Sequence, residues 1–314
     1  MKKYMFLLLL LVVAALLLFG CGRKADQQDV SAETDTPSAE NSLVDAAVVD
    51  AQAKLLQYCD GEITMRLRYD ENGWHWVDEP DFPLNGEKVE ELLTALRELS
   101  TLSPLSVDED LSLYGLDEPR KYLTMSVEDE GSLHLNIGDQ AENGSWYMTV
   151  ENYDGIYACP DSFMQMLGIS IYDMATLPTM PAFTPENVTR ILVTNGEDQV
   201  FLRNVDGQWK GSGEYVTNYV DKIFAGLASF QVSRCFDYLP SQQALHLCGF
   251  TSPTATITVE YLNSVNVESS FILTLGALHS VEEGYYATIN DDPTIYLIPA
   301  AQVSPLLTSL VFAN

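Results

Sequence analysis

Basic residues are scarce in this chain of 314 residues, which has 16 Lys and Arg against 45 Asp and Glu. The formal net charge is -29. Because so acidic a surface repels phosphate groups, the composition excludes nucleic acid and anionic lipid headgroups as partners held by charge. It is compatible with a solvated surface that attracts cations or basic partners. Hydrophobic residues make up 46 % of the chain, which excludes global disorder.

Known catalytic motifs are missing as well. The sequence has no nucleophile elbow, P-loop, HExxH motif or paired CxxC. Acid-rich segments at 107–110 and 290–293 offer oxygen ligands for Ca²⁺, but neither has the twelve-residue spacing of an EF-hand. The four histidines are scattered and favour structural roles: His75, His134, His246 and His279. We therefore expect no catalytic residues, no metal and no cofactor.

The N-terminus carries a strong targeting signal. Lys2 and Lys3 precede an apolar run at 5–19, which as a helix would cover about 22 Å, short of the roughly 30 Å hydrocarbon core. This suits a signal peptide. The run ends in LFGC at 18–21, which resembles a bacterial lipobox and predicts cleavage before Cys21 and lipid attachment to its thiol. An uncleaved helical anchor is the alternative.

Composition and repeats divide the chain into five segments. Residues 1–20 are the predicted signal peptide. Residues 21–48 hold the lipidated cysteine and a polar stretch without aromatics, which predicts a flexible tether. Two repeats follow at 49–176 and 187–314. The spacer at 177–186 has three prolines, which make it semi-rigid.

The repeat is recognised from two matching phrases, LYGLDEP at 113–119 and LCGFTSP at 247–253. Gly115 and Gly249 indicate a positive φ, and Pro119 and Pro253 rigidify the entry to the next strand. A tight structural turn is the main interpretation, and a backbone-mediated ligand contact is the alternative.

An amphipathic helix precedes each phrase. Its apolar positions repeat at helical spacing, and those of the second copy lie 131 residues after those of the first. Asn85 is the predicted N-cap of the first helix. Trp76 and Trp209 are expected to pack on these helices. The apolar positions are Val89, Leu92, Leu93, Leu96 and Leu99, then Val220, Ile223, Phe224, Leu227 and Phe230.

Alternating segments follow each phrase. LHLNIGD at 133–139 matches FILTLGA at 271–277, and 146–160 matches 285–299. Each copy therefore predicts a hairpin, a helix, an antiparallel meander and a short closing helix. The fold class is α+β, with two tandem copies of an antiparallel sheet after a lipoprotein signal and a disordered linker.

The lipobox, the Trp-ending hairpin, the YGLDEP-like turn, the LxLxIGD strand and the IYxxP ending together resemble the bacterial extracytoplasmic proteins of domain-of-unknown-function family 4340. The resemblance covers nearly all of the chain beyond residue 50. The second copy departs from it, since CGFTSP replaces the acidic turn and Ala277 stands where Asp139 stands. The resemblance implies no catalytic residues and an association with ABC-type export systems.

Four cysteines remain besides Cys21, and they allow three pairings. An extracytoplasmic location permits disulfides. Buried free thiols are one interpretation. If a bridge forms, Cys235 with Cys248 is the favoured pair, because both lie in one helix-to-turn connection. The other two cysteines are Cys59 and Cys159.

Aromatic residues around the matching hairpins are the remaining candidates. They favour protein interfaces or sugar-binding surfaces, with packing between the two halves as an equal alternative. They are Trp146, Tyr147, Tyr153, Tyr285 and Tyr286. We therefore expect a non-enzymatic interaction module, lipid-anchored to the outer face of the cytoplasmic membrane and serving a cell-envelope protein partner. The alternative is a lipoprotein that binds a glycan or peptide in the cleft between the repeats. An envelope hydrolase is the least favoured.

Overall fold

Two antiparallel sheets account for most of the described chain. The computed structural model describes residues 53–127, 131–196, 198–211 and 216–311. The predicted signal peptide, Cys21 and the tether lie outside the described residues. No helix among the described residues is long and apolar enough to cross a membrane. The predicted α+β class is confirmed, and both sheets belong to one compact unit.

The first sheet has seven strands in the spatial order β3-β2-β1-β4-β5-β6-β7. The strands are β1 (Ala53–Cys59), β2 (Thr64–Asp70), β3 (Gly73–Trp76), β4 (Lys121–Val127), β5 (Gly131–Gln140), β6 (Trp146–Val150) and β7 (Tyr157–Cys159). All neighbouring pairs are antiparallel.

The second sheet repeats this order and adds one strand, giving β10-β9-β8-β12-β13-β14-β15-β11. The strands are β8 (Val188–Asn195), β9 (Asp198–Val205), β10 (Gln208–Gly211), β11 (Arg234–Asp237), β12 (Ala255–Leu262), β13 (Glu268–His279), β14 (Gly284–Ile289) and β15 (Asp292–Pro299). Strand β11 is not predicted by the sequence pattern; it pairs with β15 at the sheet edge. At four residues it is too short to show a clear alternation.

Five α-helices accompany the sheets in the described part of the chain. They are α1 (Gly86–Glu98), α2 (Asp161–Leu167), α3 (Val216–Ser229), α4 (Gln242–Leu247) and α5 (Ala300–Val311). In the first half a 3₁₀ helix at Leu111–Tyr114 occupies the place that α4 takes in the second. Helix α1 packs against α2, and α3 packs against α5.

The apolar faces predicted for α1 and α3 are both buried. All ten predicted positions belong to the core. Asn85 caps α1 as predicted, because its side chain accepts a hydrogen bond from the Glu87 N–H at 3.0 Å. The 131-residue register of the two helices therefore predicts which side of each faces its sheet.

Trp209 packs on α3 as predicted, with its ring 5.5 Å from that of Phe224. In the first half Trp74 also contacts its helix, through Glu90. Trp74 is the positional counterpart of Trp209, because Trp74 pairs with Tyr69 and Trp209 with Asn204, each one pair beyond a two-residue turn. Trp76 packs edge-on against Phe82 and against the buried core.

The two halves meet through direct contacts. Phe82 of the first half lies edge-on to Tyr238 of the second, with ring centroids 5.2 Å apart. Arg234 in β11 forms an ion pair with Asp173 at 3.4 Å. The Tyr172 hydroxyl donates to Asp237 at 3.4 Å. These side chains lie at the junction between the halves, where a ligand cleft was the alternative expectation.

The proline-rich spacer is held against the second half rather than standing free. Phe183 is buried, with its ring 5.3 Å from Tyr261 and 5.4 Å from Phe271. The Asn187 side chain donates to the Ala182 carbonyl at 2.8 Å. The prolines thus bring a core residue to the second sheet.

Candidate functional site

The repeated Gly–Pro turn packs on a bulge of its own sheet. Gly115 and Gly249 have φ values of 66° and 87°, as the sequence predicted. A Cβ at Gly115 would lie 2.7 Å from the Asp139 carboxyl carbon. A Cβ at Gly249 would lie 2.6 Å from the Ala277 nitrogen. The turn therefore has a packing role in both halves, and its two prolines, Pro119 and Pro253, lead the chain into β4 and β12.

A second glycine in each half makes this contact feasible. A Cβ on Gly138 would clash with the Tyr114 carbonyl oxygen, and one on Gly276 with that of Cys248. Both glycines lie where the register shifts along β5 and β13. The Ala277 N–H donates to the Cys248 carbonyl at 2.7 Å. The LYGLDEP and IGD motifs are thus two sides of one contact.

The cysteines follow the free-thiol interpretation, and the possible bridge between Cys235 and Cys248 is not formed. Cys59, Cys159, Cys235 and Cys248 are all buried free thiols. Cys235 lies in β11 opposite Tyr296, whereas Cys248 caps α4. Burial and nearby acids raise the pKa of Cys159 and of Cys235 to about 12. Protonated thiols of this kind are poor nucleophiles.

The five candidate aromatics make contacts within their own halves. The Trp146 indole N–H donates to Asp161 at 3.0 Å, and Lys121 lies over its ring. Tyr147 packs against Tyr114, and Tyr286 packs against Phe236 and His279. Tyr153 and Tyr285 are partly buried against the core. These contacts give each aromatic a structural role and do not gather the five into one surface.

Histidines and acidic turns also have local partners. His134 bonds to Thr124 and Asn136, and His75 bonds to Asp70. A backbone hydrogen bond from Asn72, with a smaller contribution from His75, lowers the pKa of Asp70. In the acid-rich turns, Asp110 accepts from Ser112 and Asp292 from Tyr296. Over the described ranges, no group of three His, Cys, Asp or Glu side chains could hold a metal ion.

An open groove of about 700 Å³ lies between the β2–β3 hairpin and helix α1. Tyr69 and Trp74 of the hairpin and Ala95 of the helix contribute apolar side chains. Gly73 and Gly86 also line the groove, so part of it is backbone. We call these lining residues, together with the glutamates described next, the α1 groove.

Four glutamates of one helix line the α1 groove. They are Glu87, Glu90, Glu91 and Glu98. Glu90 accepts a hydrogen bond from the Trp74 indole at 3.0 Å, which fixes the ring between strand and helix. Glu91 forms an ion pair with Lys88 at 3.0 Å. Of the lining residues, all of which belong to the described chain, none is basic.

Comparison with known proteins identifies the family. The family model described as "Domain of unknown function (DUF4340)" matches residues 74–242, more than half of the chain. The chain belongs to this family. Neither the search of curated proteins nor that of solved structures gives a match.

The DUF4340 match includes most of the α1 groove and crosses the junction between the halves. It begins at Trp74 and ends at Gln242, at the start of α4. The matched segment thus holds α1, the spacer and β11, while β12 to β15 lie beyond it. This is narrower than the resemblance read from the sequence, which extended to nearly the whole chain beyond residue 50.

The sequence pattern did not reveal the α1 groove, although a signal for it was present. Glu87, Glu90 and Glu91 suit the positive start of a helix, which by itself indicates no binding site. Together with Glu98 they place four acids along one side of a helix. Glu90 and Glu91 follow Glu87 by three and four residues, and Glu98 lies two turns after Glu91. The concave shape beside Trp74 could not be read from that spacing, because it depends on the hairpin.

Proposed function

We propose that this DUF4340 protein is a non-enzymatic interaction module, anchored by lipid on Cys21 to the outer face of the bacterial cytoplasmic membrane. It serves a protein complex of the cell envelope such as an ABC-type export system. The α1 groove is the observation that carries the proposal. It is a concave surface lined by aromatic side chains and polar groups, as ligand-binding clefts are.

The anchor is tested by replacing Cys21 with Ala. We expect the variant to appear in the soluble extracytoplasmic fraction, because it lacks the acyl chains, each methylene of which contributes about 0.8 kcal/mol to membrane binding. Cell fractionation followed by immunoblotting measures this. Asp35→Asn, a change in the tether that leaves the lipobox intact, should stay with the membrane. Retention of Cys21→Ala would show that the apolar run at 5–19 is itself the anchor.

The interaction role is tested by crosslinking in native cells, followed by mass spectrometry of the purified protein. We expect reproducible crosslinks to one or a few envelope proteins, including membrane components of an export system. Recovery of no envelope partner across several crosslinker lengths would contradict the proposal.

A further inference from the structure

We infer that the α1 groove binds a cationic amphipathic segment of the partner protein, an inference that rests on the proposed function. The occupant we assign has an apolar side facing Tyr69, Trp74 and Ala95. Its lysine or arginine side chains face the glutamates of α1. The chemistry of the groove supports each part of this assignment.

The β2–β3 hairpin supplies aromatic side chains that the apolar side of the bound segment would contact. Trp74 and Tyr69 form an edge-on pair with ring centroids 5.3 Å apart. Trp74 is 7 % exposed, and its indole N–H is already bonded to Glu90. Trp74 therefore adds little exposed apolar area of its own and has no free donor, and the partly buried Tyr69 and Ala95 supply the rest of the apolar lining. Gly73 and Gly86 add no side chains, which leaves room for those of a partner.

The cationic part comes from the helix. Glu87, Glu90, Glu91 and Glu98 are exposed and lie within a stretch of twelve residues, a distance of roughly 16 Å along the axis. A segment lying along the groove would meet several carboxylates at once. Charge complementarity of this kind favours encounter and orientation. The Tyr69 ring already attracts a cation of this chain, since the Lys54 Nζ lies 5.6 Å from its centroid.

The second half provides an internal comparison. At the 131-residue offset, the counterparts of the four glutamates are Asn218, Asp221, Lys222 and Ser229. Only one of these is acidic. The second half therefore forms the same fold without a row of acids on helix α3, and the repeat does not require the glutamates of α1. This difference favours a binding role for them that belongs to the first half alone.

The negative charge of the groove also excludes an anionic membrane surface as its occupant. Anionic headgroups would be repelled by the four glutamates. The groove is open to solvent and formed by regular elements, so it can accept a peptide without rearrangement of the backbone. A helix of about three turns or a short extended strand would match its length.

Binding is tested with the full-length protein in nonionic detergent and a fluorescent 14-residue amphipathic peptide of Leu and Lys. Two matched peptides replace Lys by Glu or Leu by Ser. We expect anisotropy to report binding of the Leu/Lys peptide, no binding of the Glu peptide, and at least tenfold weaker binding of the Ser peptide. Affinity should fall as salt is raised, because the charges are exposed. Equal binding of the Leu/Lys and Ser peptides would overturn the amphipathic assignment.

Charge location is tested with two triple variants of equal net charge. Glu87→Gln, Glu91→Gln and Glu98→Gln together should weaken peptide binding roughly tenfold, since exposed ion pairs contribute little singly but add up. Glu62→Gln, Glu142→Gln and Glu151→Gln remove three exposed acids that do not line the groove, and should change affinity less than about twofold. Equal weakening by both sets would show nonspecific attraction and overturn the proposal.

Thr94→Arg provides a variant that blocks the groove without removing a glutamate. Thr94 is exposed and lines the groove, and Arg is a good helix former. The new side chain should cover the apolar floor and compete for the carboxylates. We expect loss of peptide binding with an unchanged melting temperature. Unaltered binding by a folded Thr94→Arg protein would contradict the assignment.

The source of the segment is tested in native cells with a photocrosslinking amino acid at Thr94 or at Ala225, its exposed counterpart on α3. We expect crosslinks from position 94 to a Lys- or Arg-rich segment of an envelope protein, weakened by the Glu87/Glu91/Glu98 triple variant. Crosslinks to this chain's own tether or to a second copy would overturn the assignment. Crosslinks to envelope proteins from position 225 alone would overturn the groove assignment but not the proposed function. Absence of such crosslinks from positions 94 and 225 would count against the groove assignment and the proposed function alike.

Discussion

At the residue scale, close packing around two glycines in each half explains why the Gly–Pro motif occurs in both halves. The turn glycines Gly115 and Gly249 supply a positive φ. The strand glycines Gly138 and Gly276 leave room for the carbonyl oxygens of Tyr114 and Cys248, the residues just before the turn glycines. Neither requirement involves a ligand. The phrase therefore belongs to the architecture of the repeat rather than to its function.

Gly138→Ala should destabilise the protein strongly. The added methyl group would meet the Tyr114 carbonyl oxygen and the Leu116 side chain, and overpacking of this kind costs about 2–3 kcal/mol. Urea unfolding followed by circular dichroism measures the change. Gly168→Ala is the matched control, because its Cβ would have only ordinary contacts, the nearest at 3.6 Å. Equal stability of the two variants would contradict the packing explanation.

Buried thiols form a second residue-scale feature. Burial, followed by the charges of neighbouring acids, raises the pKa of Cys159 and Cys235 to about 12, from an ordinary value near 9. The folded state thus retains these protons at pH values where the unfolded chain releases them. The contribution to stability is complete below about pH 9 and is lost as the pH rises toward 12.

We expect the free energy of unfolding to decrease between pH 9 and pH 11 through these thiols. In a Cys159→Ala, Cys235→Ala double variant the decrease should be less steep, since two groups with raised pKa values are removed. Urea unfolding at each pH measures the slope. An identical slope in the variant and the parent would show that other groups, such as Tyr58, whose pKa is raised to about 12, dominate the alkaline response.

At the element scale, helix α1 is fixed at both its start and its buried side. The Asn85 N–H donates to the Met174 carbonyl at 2.8 Å, and its side chain caps the helix. Residues Leu84 and Ala175 form an isolated antiparallel bridge beside it. The start of the helix that bears the groove glutamates is therefore tied to the segment that leads to the spacer.

Asn85→Ala should cost about 1 kcal/mol, because the cap to the Glu87 N–H is lost while the backbone bonds remain. Asn85→Asp keeps an acceptor and a favourable charge at the helix start, and should retain most of the stability. Chemical unfolding of both variants measures the difference. Equal losses would indicate that the cap contributes little and that tertiary contacts hold the start of α1.

At the scale of the whole molecule, the junction joins two sheets of the same strand order. Phe82 is buried and contacts Trp76, Tyr172 and Tyr238, so one ring bridges both halves. The ion pair between Arg234 and Asp173 lies at the same junction. Strand β11, present only in the second half, carries Arg234 and thus helps to build it.

Phe82→Ala should destabilise the protein by about 3–5 kcal/mol. The loss of stability should be seen in both halves. Hydrogen exchange measured by mass spectrometry should rise in β12 and β13 as well as in the first sheet. Phe163→Ala is a control, because Phe163 is buried in α2 of the first half, which packs on α1. Second-half exchange that is the same in both variants would contradict a specific role of Phe82 in coupling.

The sequence by itself determined the α+β class, the buried faces of α1 and α3, the Asn85 cap and the positive φ of Gly115 and Gly249. Each is encoded locally, in a spacing or in one residue's steric limits. Tertiary structure decided that Trp74 meets α1 through Glu90, that β11 joins the second sheet, and that Cys235 and Cys248 remain free thiols. It also decided the α1 groove, because concavity arises only where a hairpin and a helix meet at a packing distance that no local pattern specifies.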